Sequence, residues 1–211
     1  MKSSWMIDAI DIATGISPLD SAVNLFGKKA EAFWRLFIAT GYAERFGNGE
    51  PRLLAGMTGY ELARYVLDDA KAKYRPVPPS EVTDLSREYW AGWALAHYQW
   101  RTALPFVEID AFAPIKEVIV YYHPYHEMDV QRFCEHLDEL YRTAHPESRL
   151  KAAREMRGMT QEELATAANV PVRMLQHYEQ RVKSLGKAAF DTVFRLAQVL
   201  HVPPQSIVEP A

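Results

Sequence analysis

Val172, Arg173, Gln176, His177 and Gln180 recur at i, i+1, i+4, i+5 and i+8. On a helix of 3.6 residues per turn that spacing gathers them on one side. The residue types there could do recognition chemistry. A guanidinium forks onto the acceptors of a guanine edge or onto a phosphate, and a primary amide pairs with the edge of adenine. Leu175 and Tyr178 fall on the opposite side and are expected to be buried. Gln161, upstream at a helix start, is placed to meet a backbone phosphate with its amides and the helix dipole.

Such a face needs short, firmly held helices. Thr160 and Glu163 form a T-x-x-E capping box, which satisfies free amides where a helix begins. Leu164, Ala165 and Ala168 then face inward, and Ala165 is small where a second helix crosses closely. Asn169 occupies the tight turn, because asparagine tolerates left-handed backbone better than most residues. Val170, Leu175 and Tyr178 supply apolar contacts for the next helix. The pattern predicts two short helices joined by a brief turn. Upstream, Pro146 cannot continue a helix and pushes His145 toward extended geometry. A domain boundary is expected there, giving a body over 1–145 and a module over 146–211. The body carries 15 basic and 20 acidic side chains and the module 9 and 7, a net charge of −5 against +2. A slightly basic module after an acidic body suits nucleic-acid binding.

The run RLKAAREMRGMTQEELATAANVPVRMLQHYEQ resembles the helix-turn-helix domain of the phage-repressor-like (XRE) family. The matching residues are the TQEELA start, Ala165, the turn at Asn169 and Val170, Leu175 and the YEQ close. LGKAAFDTVFRLAQVLHVPPQSIVE continues as the last two helices of that family do, with Phe190, Phe194, Ala197 and Leu200 as the apolar stripe. The resemblance covers residues 149–209. It implies a five-helix, lambda-repressor-like DNA reader that dimerises on a pseudo-palindromic operator in double-stranded DNA, with half-sites about one helical turn apart. Carried over, Gln161 becomes a phosphate clamp. Val172, Arg173, Gln176 and His177 become base or groove contacts, and Arg181 and Lys183 phosphate contacts. Asn169 stands where the family usually has glycine, Pro171 replaces a serine or threonine cap, Val172 and Met174 make the reading helix more apolar, and His201 stands where glycine often closes the fourth helix.

Helical periodicity dominates the rest of the 211 residues. Helices are expected at about 4–13, 18–27, 29–40, 58–74, 86–103, 114–121 and 127–143, with five more after 147. Residues 42–55 read as a short hairpin or an irregular loop, and PVPPSEV at 76–82 as a stiff crossing. The expected fold is therefore all-α, a helical N-terminal domain followed by the helix-turn-helix domain. No apolar run is long enough for a bilayer, the N-terminus lacks the apolar block of an export signal, and the single Cys134 excludes an internal disulfide. These features point to a cytoplasmic protein without a membrane partner.

SREYWAGWALAHYQW at 86–100 places Trp90, Trp93, His97 and Trp100 on one stripe, beside a small-residue patch at Gly92 and Ala96. Three readings stand: a core helix, a partner-docking surface, or a stacking site for a base or cofactor. HPYHEMDVQRFCEH holds ligand-type residues but no H-E-x-x-H pair, so no metal site is assigned. Cys134 reads as a packing residue, and no catalytic set or cofactor fingerprint is seen. GYAERFGNGEPRLLAGMTGYELA together with the tryptophan-rich stretch is similar to uncharacterised bacterial regulators whose genes lie beside toxin-like genes. That similarity implies an antitoxin, in which the body holds a toxin protein and the C-terminal domain represses the shared operon. The alternative is an antitoxin or adaptor that neutralises its partner without binding DNA.

Overall fold

A computed structural model describes residues 17–75 and 86–210. The expected helix at 4–13 and the crossing at 76–82 lie outside the described residues. Every regular element among the described residues is helical. The chain divides into two compact units, Met1–Tyr141 and Arg142–Ala211, a few residues before the boundary expected at Pro146.

The first unit starts with α1 (Pro18–Asp20), which runs into a π turn at Ser21–Leu25. It continues with α2 (Ala30–Ala39), α3 (Tyr42–Gly47), α4 (Pro51–Leu54), α5 (Gly59–Asp69), α6 (Arg87–Thr102), α7 (Phe106–Phe112), α8 (Ile115–Val120), α9 (Tyr122–Tyr125) and α10 (Val130–Ala144). Residues 42–55 are two short helices rather than a hairpin. Gly41 and Gly49 take the positive φ values, 80° and 81°, that let the chain turn before and after α3. Helix α7 was not expected from periodicity. Helix α5 opens with a capping box, in which the Glu61 N–H donates to Thr58 Oγ1 at 3.2 Å and the Thr58 N–H donates to Glu61 Oε2 at 2.8 Å. It buries Leu62, Val66 and Leu67. It stops at Asp69, short of the expected 74, and Lys71 beyond it takes φ 51°.

Rings dominate this core. Trp34 meets Phe106 edge-on at 5.5 Å, Trp90 meets Phe133 at 5.1 Å, and Phe46 stacks near Trp100 at 6.3 Å. Burying such a side chain contributes roughly 1.5–3 kcal/mol. Gly92 is required by a close approach: a Cβ there would run into Ser17 Oγ, so α1 packs on the small-residue patch of α6.

The second unit comprises α11 (Arg149–Met156), α12 (Gln161–Ala167), α13 (Val172–Glu179) and α14 (Phe190–Leu200), with 3-10 turns at Leu185–Lys187 and Pro204–Ser206. The last of the five expected helices is that single turn at 204–206. Its core is aliphatic, built from Leu150, Leu164, Leu175, Leu196, Leu200 and Ile207 among others. The inward stripe of α14 is Val193, Leu196, Ala197 and Leu200. The expected stripe through Phe190 and Phe194 is corrected, because those rings are 75% and 46% exposed. The helix begins at Phe190, and its buried side turns toward 193 and 196.

Candidate nucleic-acid interface

The capping box at Thr160 forms as expected. The Glu163 N–H donates to Thr160 Oγ1 at 3.2 Å and the Thr160 N–H donates to Glu163 Oε2 at 2.8 Å. The backbone donor at Thr160, then its hydroxyl, holds the Glu163 carboxyl below its ordinary range. Asn169 adopts φ 51°, and the Val170 N–H closes the turn on the Ala165 carbonyl at 2.9 Å. The guanidinium of Arg195 donates to the Asn169 carbonyl at 3.2 Å and ties the turn to α14. Pro171 is the residue before α13, with φ −57°, and caps it with no side-chain hydrogen bond.

Helix α13 buries Leu175, Tyr178 and Glu179. Arg173 and Gln180 are exposed, while Val172, Gln176 and His177 are half-buried. A polar network beneath this face links three helices. Arg154 donates to both carboxylate oxygens of Glu179, at 2.6 and 3.1 Å, and to the Met159 carbonyl at 2.7 Å. Gln161 Nε2 donates to Glu179 Oε2 at 2.8 Å, and Gln176 Nε2 donates to Gln161 Oε1 at 3.3 Å. Arg154 and Glu179 are both buried, so each charge depends on the other. The network orients the amides. Gln161 keeps one amide hydrogen for an outside acceptor. Gln176 keeps one amide hydrogen and its carbonyl oxygen, the donor and acceptor that an adenine edge needs. His177 Nδ1 is buried without a hydrogen-bond partner.

The structure gives Arg181 a different task from the expected phosphate contact. Its guanidinium donates to the Glu147 carbonyl at 2.9 Å and pairs with Glu209 at 3.4 Å. It joins the loop after α13 to the start and the end of the unit. Elsewhere Lys151 pairs with Glu147 and Arg195 with Asp191. The exposed cations without a carboxylate partner, among the described residues of this unit, are Arg142, Arg157, Arg173, Lys183 and Lys187. Lys183 Nζ lies 3.8 Å from Met174 Sδ. Arg157 and Lys187 were missed in the sequence, where nothing separates a free cation from a paired one.

The tryptophan stripe divides. Trp90 and Trp100 are buried in the core of the first unit and are corrected from docking residues to packing residues. Trp93 and His97 are half-buried. His97 Nδ1 sits 3.5 Å from Cys134 Sγ. Burial, then the Arg101 charge, pushes the His97 pKa down, and burial pushes the Cys134 thiol up to about 11. A thiol held so high is protonated at neutral pH and packs as a small apolar group. Asp129 opens α10 by accepting the Gln131 N–H at 2.8 Å, and His126 bonds the Tyr122 carbonyl at 2.8 Å. No three ligand-type residues converge as a metal site among the described residues.

No helix among the described residues is long and apolar enough to cross a membrane. No curated protein and no solved structure matches the chain. A family model described as helix-turn-helix matches residues 150–207, rather more than a quarter of the chain, and supports a DNA-binding transcription regulator.

Proposed function

We propose that the protein regulates transcription as a dimer, with α13 entering the major groove of a pseudo-palindromic operator. The observation that carries this reading is the coupling of the α13 face to a buried network. Arg173 projects freely from the face, and Gln176 is oriented through Gln161 and Glu179. Val172 and His177 flank them and meet the groove walls. Arg157, Lys183 and Lys187 supply phosphate contacts, with Gln161 at the start of α12. A few such contacts give moderate affinity per protomer, which pairing of two half-sites multiplies. Phe190 and Phe194 stack at 5.9 Å on the outside of α14 and form the apolar patch offered to the second copy. Replacing Phe190 with Glu would then leave a monomer in sedimentation.

The protein acts in the cytoplasm as the antitoxin and autorepressor of a toxin–antitoxin operon. This rests on the resemblance of GYAERFGNGEPRLLAGMTGYELA and the tryptophan-rich helix to regulators encoded beside toxin-like genes. Burial of Trp90 and Trp100 moves the partner surface to other residues of the first unit.

The test is a gel shift on DNA upstream of the chain's own gene. Wild type binds, and Arg173→Ala and Gln176→Ala each weaken binding by about 1–3 kcal/mol. Equal binding by all three, or by none, contradicts the assigned face. Co-expression with the neighbouring gene tests the antitoxin role. Rescue that survives deletion of 147–211 assigns neutralisation to the first unit, and absence of toxicity or rescue removes the role.

A further inference from the structure

We propose that Arg181 is a positioning residue for the reading helix: it latches the entry segment of the second unit to the loop that closes the last turn of α13, without touching DNA. The inference rests on the DNA reading of α13 proposed above. Loop amides hold that last turn. The N–H groups of Gln180, Arg181 and Lys183 donate to the carbonyls of Gln176, Tyr178 and His177 at 2.9, 3.1 and 3.1 Å. Gln176 and His177 belong to the reading face. The Arg181 side chain fixes the loop in turn. Its guanidinium donates to the Pro146 carbonyl at 3.4 Å, to the Glu147 carbonyl at 2.9 Å and to the Glu209 carboxylate at 3.4 Å. Glu209 also accepts the Arg149 N–H at 2.7 Å, so one carboxylate joins the start of α11 to the loop. These acceptors lie on separate segments, and a planar fork reaches them together where a single ammonium does not. With 21% of its side chain exposed and its donors turned inward, the guanidinium is not presented to a phosphate. The backbone adds a second sign. Arg181 stands at φ 57°, a left-handed position that glycine takes without strain. Strain held at one residue points to a task for its side chain.

The test measures the affinity of the full chain for DNA upstream of its own gene, as a function of salt, by fluorescence anisotropy. Wild type is compared with Arg181→Gly, Arg181→Lys and Lys183→Ala. Arg181→Gly suits the backbone angle and removes the guanidinium, whereas Arg181→Lys keeps the charge and loses the fork. A latch predicts that both weaken binding about fivefold and leave the slope of log affinity against log salt unchanged. Lys183→Ala removes an exposed cation of the same loop and should lower that slope by about one. A slope lowered by about one in Arg181→Gly, or wild-type affinity in Arg181→Lys, would make residue 181 a phosphate contact and overturn the proposal. Wild-type affinity in Arg181→Gly would reduce the latch to ordinary stabilisation and overturn it too. Amide hydrogen exchange in the free protein separates the latch from the DNA reading. In Arg181→Gly the Gln180 and Lys183 amides should exchange about tenfold faster, while that of Ala168, bonded to the Leu164 carbonyl, keeps its rate. Unchanged exchange at 180 and 183 would overturn the latch even where DNA binding holds. Failure of wild type to bind DNA, with faster exchange in the variant, would remove the DNA reading and leave the latch on α13 standing.

Discussion

The first unit packs ring against ring, whereas the second is held by aliphatic side chains around one buried ion pair. Tyr178, Phe190 and Phe194 are the only aromatic residues of Arg142–Ala211, and both phenylalanines lie outside its core. The second unit joins its buried charges: Arg154 meets Glu179, Glu179 meets Gln161, and Gln161 meets Gln176. The first unit leaves the buried Trp34 and Trp93 indole nitrogens without a hydrogen-bond partner, as the second leaves His177 Nδ1. The difference separates two ways of holding helices together. A buried polar network fixes helices at one angle and steadies an external face, while a core of packed rings fixes them by shape.

The comparison breaks most sharply where each core is cut. Phe133→Ala removes a fully buried ring against Trp90 and should destabilise the first unit by about 3–5 kcal/mol. All five tryptophans precede residue 101, so their fluorescence reports that unit in a urea titration. Arg154→Ala strands the Glu179 carboxylate and should cost the second unit about 3–5 kcal/mol in far-UV circular dichroism. The paired change Arg154→Met with Glu179→Leu should recover most of that loss. Failure to recover would mean that the network acts through more than charge compensation.

Smaller effects sharpen the contrast. His201 ends α14 at φ 55°, a left-handed position that glycine occupies without strain. His201→Gly should stabilise the second unit by about 0.5–1 kcal/mol, seen as a higher urea midpoint. In the first unit the His97 pKa is lowered by burial and then by Arg101. A depressed folded value means the stabilisation is complete above the unfolded pKa of about 6.5 and is lost as pH falls toward and through the folded value. The tryptophan-detected urea midpoint should therefore drop on acidification below about pH 6.5, and His97→Phe should flatten that dependence.

Legibility in the sequence followed the same division. Thr160, Glu163, Asn169 and Leu175 announced the second unit because caps, turns and inward positions are set by residues within a few places of one another. The Arg154–Glu179 pair was not legible, since two charges 25 residues apart carry no sign of which helix faces they will occupy. Arg181 misled for that reason: its partners lie at 146–147 and 209. Phe190 and Phe194 misled because two apolar stripes overlap on α14, and only the packed unit selects 193 and 196. In the first unit α7 and the pair α3–α4 escaped periodicity, because helices of four to seven residues hold too few turns to display it.

The central claim is that side chains of α13 read base edges. Its most direct measurement is a binding series with wild type and Arg173→Ala on operators substituted one base pair at a time. Wild type should lose about 1–3 kcal/mol at a base pair in each half-site that Arg173→Ala no longer distinguishes, with the other positions unchanged. Identical discrimination by both proteins at every position would contradict the claim.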